Sequence, residues 1–296
     1  RMFDAARGSE VAWLISIVGW RGSFVITGGI GIVWALAWWF VYRDPERYRA
    51  IAPDAVDALL AQRGAPAVAA ATDGPKVSWL DLFRYRTVWG MMIGLFCLNF
   101  AIYFFITWFP SYLLQSRGFS LASLGTWGML PALLAIPGGW LGGYVSDSLF
   151  RRGWSATAAR KTCLVLGMLL SSSIALSAFV ENVWACLALF ALAYASLSFA
   201  GANVWTLVGE VAPTPAHVAS LGGIQNFAGN LAGIFITTFT GVMLSITKGS
   251  FVVPLAVAGA LCVVGALSYL FIVGKVEPLP PLRGGANRRN VEPNAA

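Results

Sequence analysis

The feature that most constrains this chain is a series of long apolar runs. The first complete run extends from Gly22 to Tyr42, and the others cover residues 87–109, 121–147, 160–180, 183–208, 218–245 and 251–274. An α-helix needs about 20 apolar residues to cross the hydrocarbon core of a bilayer. Only 11% of the residues are charged, against roughly 25% in a soluble domain, and the alternation of β-barrel strands is absent. The sequence therefore predicts an all-α polytopic membrane protein.

The segments outside these runs are short or polar. Val11 to Trp20 is apolar but too short to span, so it predicts the end of a helix that starts before Arg1, in a chain truncated at its N-terminus. Residues 43–86 hold seven Lys or Arg and six Asp or Glu and read as a linker. Its last part, Ser78 to Tyr85, predicts a short interfacial helix. Residues 275–296 are rich in Pro and basic residues and predict a disordered tail.

The basic residues are unevenly distributed between the two sides of the predicted membrane. Seventeen of the twenty fall on the side of the 43–86 loop and the tail, and only Arg21, Arg117 and Lys248 fall on the other. Cytoplasmic loops carry the excess of Lys and Arg. We therefore expect a multi-pass protein of the inner (plasma) membrane with a cytoplasmic C-terminus.

The same residues argue against other functional classes. The net charge of +7 comes from helix ends and loops, which favours a lipid bilayer rather than nucleic acid as the partner. The cysteines lie inside apolar runs without metal-ligand spacing: Cys97, Cys163, Cys186 and Cys262. The sequence has no nucleophilic triad, phosphate loop or metal cluster. We expect neither an enzyme nor a bound cofactor or metal.

Polar side chains within the apolar runs are the candidate binding residues. Asn99, Tyr103 and Thr107 are spaced i, i+4, i+8 and share one helix face. Such a stripe either faces a polar cavity or makes interhelical hydrogen bonds, which are worth about 0.6 kcal/mol on average. The residues do not decide between the two.

A second set of polar residues lies between Phe199 and Thr238. It comprises Asn203 and Trp205 on one run, and Asn226 and Asn230 on the next. Amides at such depth are costly unless they are hydrogen-bonded. They form an uncharged hydrogen-bonding surface that suits hydroxyl groups, whereas a carboxylate needs a cation from elsewhere.

A charged motif follows the 121–147 run: Gly143-Tyr-Val-Ser-Asp147-Ser-Leu-Phe-Arg151-Arg152. An acid at a helix end followed by an Arg pair can clamp a neighbouring helix terminus and stabilise one state of a gate. The alternative is a solvated loop with positive-inside charge, which composition alone favours roughly two to one.

This motif resembles the Gly-x-x-x-Asp-x-x-Gly-Arg-Arg loop of the major facilitator superfamily, with Phe150 at the position of the second Gly. The superfamily has two six-helix halves, and the loop joins the second and third helices of each. The resemblance implies that residues 1–42 are a remnant of the N-terminal half, holding the end of helix five and helix six. Residues 43–86 would be the central cytoplasmic loop, and residues 87–274 the C-terminal half with helices seven to twelve.

Several further motifs are similar to the anion:cation symporter branch, which contains the sugar-acid permeases for galactonate and glucarate. They are Gly19-Trp20-Arg21-x-x-Phe24, Tyr42-Arg43-Asp44-Pro45-Glu46, Trp108-Phe109-Pro110-x-Tyr112-Leu113, Trp205, and Gly222-Gly223-x-x-Asn226-x-x-Gly229-Asn230-x-x-Gly233. The resemblance covers residues 11 to 274.

The resemblance implies proton-coupled uptake of a small organic anion, such as a hexonate or hexarate, by alternating access. Trp205 and Asn226 match substrate-contacting positions, as do Ala202 and Val204, where relatives carry hydroxyl residues. With these we group Asn203, Asn230, Tyr103 and Asn99 as the predicted substrate site. The cation for the carboxylate and the acids that carry the proton belong to the N-terminal half, which is required for activity. The alternatives are a transporter-like sensor or an exporter of drugs or metabolites.

Overall fold

The computed structural model describes residues 10–42 and 79–280, and those residues form helices without any β-strand. Within these two ranges, nine α-helices follow one another: α1 (Glu10–Val41), α2 (Arg86–Thr107), α3 (Phe109–Ser116), α4 (Leu121–Trp127), α5 (Leu130–Arg151), α6 (Ala156–Ser171), α7 (Val183–Val211), α8 (Val218–Ile246) and α9 (Val252–Leu267). Short 3-10 helices cover Trp79–Arg84, Ser172–Ala178 and Pro215–His217, and a π-helix, Ser268–Ile272, continues α9.

In the part of the chain that the structure describes, seven helical stretches are long and apolar enough to cross a bilayer. They are Ile17–Val41, Arg86–Thr107, Ser123–Arg151, Ala156–Ala178, Val183–Val211, Val218–Ile246 and Val252–Ile272. Each agrees with one of the predicted apolar runs. The prediction of an all-α multi-pass membrane protein is therefore confirmed.

The chain divides into two compact units. One consists of residues 1–73 and 110–130, and the other of residues 74–109 and 131–296. The first unit thus contains α1, α4 and most of α3, and the second contains the remaining helices.

In the first unit, α1 bends at Gly19, close to the predicted boundary after Trp20. Gly19 adopts φ +69°, a left-handed conformation that glycine tolerates without a Cβ penalty. The Ser23 hydroxyl donates to the Gly19 carbonyl at 3.0 Å and so satisfies an acceptor at the bend. The guanidinium of Arg21 lies 5.2 Å from the centre of the Trp20 ring.

In the second unit, α2 packs against α8 and α9, and α6 packs against α7 and α9. An aromatic cluster joins α2 to α7. Phe105 stacks on Tyr194 with ring centres 4.4 Å apart, and Phe104 stacks on Phe190 at 6.3 Å. These rings fill the interface with closely packed apolar surface, which supports helix association in a lipid solvent.

Glycines allow α5 to approach α7 closely. A Cβ at Gly138 would collide with the Ala195 carbonyl, and a Cβ at Gly142 would collide with the Phe199 carbonyl. The four-residue spacing of these two glycines therefore allows close contact between the backbones of α5 and α7.

Several predicted boundaries differ from those observed. The 121–147 run is divided between α4 and α5, and α5 continues to Arg151, so Asp147 lies within the helix and not at its exit. Helix α6 begins at Ala156, four residues before the predicted start. A Ser155 N-cap, whose side chain accepts from Ala158, explains this start.

Residues 275–280 differ from the predicted disordered tail, because they pack along the ends of several helices. The backbone N–H of Val276 donates to Thr157 Oγ1 at 2.9 Å, and that of Leu279 donates to the Val211 carbonyl at 3.0 Å. Backbone groups that find partners in this way stabilise an ordered path. The rest of the predicted tail, 281–296, and the predicted loop up to residue 78 lie outside the described residues.

Candidate functional site

Helix α8 carries an exposed polar face along most of its length. Asn226, Asn230 and Thr237 are exposed, and their spacing of four and seven residues places them on one side of the helix. The opposite side is buried: Leu221, Gln225, Ala228, Ala232 and Ile236. The sequence folds this way because its apolar residues recur with the helical period and leave Asn226 and Asn230 on the other face.

A chain of hydrogen bonds connects this face to α2. The Asn230 Nδ2 group donates to the Asn226 backbone carbonyl at 2.8 Å and to Asn226 Oδ1 at 3.1 Å. The Tyr103 hydroxyl donates to Asn230 Oδ1 at 2.9 Å. Three of the six predicted substrate-site residues are thus brought together by direct contacts.

Asn99 and Tyr103 rest on two glycines of α8 that share their four-residue spacing. A Cβ on Gly229 would lie 2.5 Å from Asn99 Nδ2, and a Cβ on Gly233 would lie 3.1 Å from the Tyr103 ring. Asn99 therefore lies in the contact between the two helices. Two roles were predicted for the polar residues of α2, facing a polar cavity or bonding to another helix. Tyr103 has both, because it hydrogen-bonds to α8 and also lines a groove.

The structure places Asn203 and Trp205 on different faces of α7. Trp205 is 54% exposed, whereas Asn203 is completely buried. Ala202 and Gly209 are exposed on the same face as Trp205. The Asn203 amide donates to the Gly142 carbonyl of α5 at 3.2 Å. Asn203 is thus part of the contact between α5 and α7 and is not next to the exposed face that carries Trp205.

A charged cluster joins α5, α6 and α7 through one arginine. Arg160 Nη1 donates to Asp147 Oδ1 at 2.9 Å and to Ser146 Oγ at 2.7 Å. Arg160 Nε and Nη2 both lie 3.2 Å from Glu210 Oε1. The Arg160 side chain is only 15% exposed. A guanidinium suits this position, because it presents several donors in a fixed plane.

The predicted gating motif is only partly contained in this cluster. Asp147 pairs with Arg160, whereas Arg151 and Arg152 are exposed at the end of α5. A Cβ at Gly143 would meet nothing within 4 Å. The glycine that lies in close contact with α7 is therefore the neighbouring Gly142 and not Gly143. The pair formed by Arg160 and Glu210 was not predicted. In the sequence, Arg160 is a basic residue one turn into a helix and Glu210 is an acid near the end of another, and only the packed helices show that they meet.

Comparison with known proteins agrees with the helical architecture. A family model described as the Major Facilitator Superfamily matches residues 11–237. The match begins in α1 and ends in α8, so it includes every residue of the hydrogen-bond chain and of the charged cluster.

Individual relatives are bacterial transporters. The chain is 33% identical to a D-galactonate transporter of Escherichia coli O6:H1 (strain CFT073), over 90% of this chain and 62% of the relative. It is 34% identical to a probable galactarate/D-glucarate transporter of Escherichia coli (strain K12), over 93% of this chain and 62% of the relative. It is 30% identical to a probable sulfoacetate transporter of Cupriavidus necator (strain H16), over 92% of this chain and 62% of the relative. The chain thus spans about three fifths of the length of these curated relatives.

Proposed function

We propose that the protein is a secondary transporter of small organic anions, because this chain belongs to the Major Facilitator Superfamily. The observation that carries the proposal is the uncharged polar face of α8, where Asn226 and Asn230 are exposed within a candidate membrane span. Polar groups in such spans usually face a bundle interior or a water-filled cavity. Substrate binding is the function that such a face supports best.

We further propose a sugar acid as the substrate. The names of the relatives cover hydroxylated sugar acids and the hydroxyl-free anion sulfoacetate. The side chains at the candidate site favour the first class, because Tyr103, Asn226 and Asn230 are uncharged hydrogen-bonding groups. Trp205, exposed on α7, offers an aromatic face to the carbon backbone of the same ligand.

The domain organisation is part of this proposal. Helices α2 and α5 to α9 form one six-span half, and α1 belongs to the other half. The cation that binds the carboxylate and the acids that carry a coupled proton lie on that other half. The protein is placed in the inner (plasma) membrane with the end of α9 on the cytoplasmic side, because most basic residues fall on that side.

The charged cluster is proposed as a cytoplasmic gate element. Asp147 keeps its predicted role, and Arg160 and Glu210 join it. One guanidinium that holds carboxylates from α5 and α7 can stabilise one arrangement of these helix ends and release another when a bond breaks. Gly143, Arg151 and Arg152 remain predicted members of the motif, and the two exposed arginines can contribute positive-inside charge.

Transport assays with the full-length protein in proteoliposomes test the proposal. We expect uptake of labelled galactonate, galactarate or glucarate that increases when the outside is acidic relative to the lumen. Folded protein that transports none of the three acids would rule out the sugar-acid assignment. Thermal stabilisation by a sugar acid without flux would favour a sensor, and preferential binding of an apolar cation would favour an exporter.

A further inference from the structure

Residues 274–280, which we call the strap, follow the π-helix and cross the ends of α6 and α7. The backbone N–H of Val276 donates to Thr157 Oγ1 in the first turn of α6 at 2.9 Å. The backbone N–H of Leu279 donates at 3.0 Å to the carbonyl of Val211, the last residue of α7. The strap thus joins the start of one helix to the end of the next through backbone hydrogen bonds.

Both ends of the strap are held beside the start of α2. The N–H of Gly274 donates to Thr87 Oγ1 at 3.3 Å, and the Tyr85 hydroxyl donates to the Pro280 carbonyl. Tyr85 is 9% exposed and Thr87 is 7% exposed, so these partners are themselves fixed by packing. Because both ends are anchored, the middle of the strap is held across α6 and α7.

Two cations from neighbouring helices hold the point where the strap begins. Lys161 Nζ of α6 donates to the Leu270 carbonyl at 3.1 Å and also to the Val273 carbonyl. The Arg86 guanidinium of α2 donates to the Phe271 carbonyl. Carbonyls at the C-terminal end of a helix lack intrahelical partners, and cations stabilise that end. The start of the strap is therefore tied to α2 and α6.

The side chains of the strap divide into a buried set and an exposed set. Val276 and Leu279 are buried, whereas Lys275 and Glu277 are exposed. Removing apolar side chains from water favours the seated position of the strap. The buried pair therefore holds the strap in place, and the exposed pair contributes little.

The strap bridges the two helix ends that the charged cluster also joins. Thr157 lies three residues before Arg160, and Val211 directly follows Glu210. Arg160 Nη2 lies 3.2 Å from Glu210 Oε1, so the ends of α6 and α7 stay close while this pair is intact. The backbone bonds of the strap and the side-chain bonds of the cluster therefore act on the same helix spacing.

We propose that the strap is a latch that sets the spacing of α6 and α7 and thereby controls the pairing of Arg160 with Glu210. While the strap is seated, the two helix ends remain close and the charged cluster is held together. When the strap lifts, the ends of α6 and α7 can separate and the pair can break. This inference rests on the proposed function, because it treats the charged cluster as a gate element.

Two buried cysteines can report on the latch. Cys163 is 1% exposed and lies three residues after Arg160. It is hydrogen-bonded to Ser146, which also accepts from Arg160. Cys97 is equally buried, in the contact between α2 and Gly265 of α9. The experiment uses the full-length protein in lipid nanodiscs with either Cys163 or Cys97 as its only cysteine, and it measures the rate of reaction with N-ethylmaleimide.

The test variant loosens the strap without shortening the chain. It combines Val276→Ala with Leu279→Ala, which reduces the buried apolar surface of the strap. The matched control combines Lys275→Ala with Glu277→Ala, which changes two exposed positions of the same segment. A milder second variant, Thr157→Val, removes only the acceptor of the Val276 N–H.

The test variant is expected to accelerate the labelling of Cys163 roughly tenfold, because labelling of a buried thiol follows the population of the locally opened state. Thr157→Val should accelerate it in the same direction and to a smaller extent. Labelling of Cys97 should not change in any variant, and the control should leave both rates unchanged.

Two results would overturn the latch. Equal acceleration at both cysteines would mean that the whole unit loosens, and unchanged labelling of Cys163 would mean that the strap does not hold the helix ends. Equal acceleration of Cys163 labelling in the control would also contradict the latch. Transport is measured separately, so a protein that labels as expected but takes up no sugar acid would contradict the proposed function and not the latch.

Discussion

Replacing Arg160 with Met removes a guanidinium that bonds α5, α6 and α7 together. The bond to Asp147 contributes little, because that carboxylate is 57% exposed and water can replace the contact. The Glu210 side chain is 29% exposed, and its Oε2 atom is buried without a partner in the described part of the chain. Without Arg160, Glu210 Oε1 loses its partner as well, and the charge of the carboxylate is no longer balanced by the guanidinium.

The expected cost follows from these exposures. Breaking a fully buried ion pair destabilises a protein by about 3–5 kcal/mol, and hydrogen bonds to charged groups contribute about 1.5–3 kcal/mol. Since Glu210 is partly solvated, we expect Arg160→Met to reduce the free energy of unfolding by about 2–3 kcal/mol. Adding Glu210→Gln should recover part of this loss, because the uncompensated charge is removed.

Denaturant titration of the purified protein in mixed micelles measures these changes. Arg151→Met is the matched control, because it removes the same charge from an exposed position at the end of α5. We expect the control to change the free energy of unfolding by less than about 0.5 kcal/mol. Equal stability of the Arg160 and Arg151 variants would refute the reasoning, as would a double variant less stable than Arg160→Met alone.

Two further predictions use neighbouring or paired positions as controls. Gly142→Ala should destabilise the protein by about 1–3 kcal/mol, because the added Cβ would collide with the Phe199 carbonyl. Gly143→Ala should be neutral, because its Cβ enters open space. Thermal unfolding compares the two variants, and equal melting temperatures would contradict the packing. Asn226→Ala should weaken sugar-acid binding more than Asn99→Ala, because Asn226 is exposed on the polar face and Asn99 packs against α8. Calorimetric titration with a sugar acid measures both affinities, and equal, negligible effects would refute the site assignment.

The candidate site was predictable from the sequence to the extent that it depends on one helix. Asn226 and Asn230 share a face because of their four-residue spacing, and the structure confirms that shared face. Asn99 and Tyr103 share a spacing with Gly229 and Gly233, but only the packed helices show that the glycines accommodate them. The bond between Tyr103 and Asn230 joins residues 127 positions apart, so local periodicity could not predict it.

The sequence by itself determined the membrane class and the number and positions of the spans, because each span must be apolar over its own length. The tertiary structure alone decided which polar residues meet. It placed Asn203 in a buried helix contact while Trp205, two positions away, is exposed. It also paired Asp147 with Arg160 and not with the nearby Arg151. These outcomes depend on the rotation and separation of neighbouring helices, which apolar side chains determine collectively and no single motif encodes.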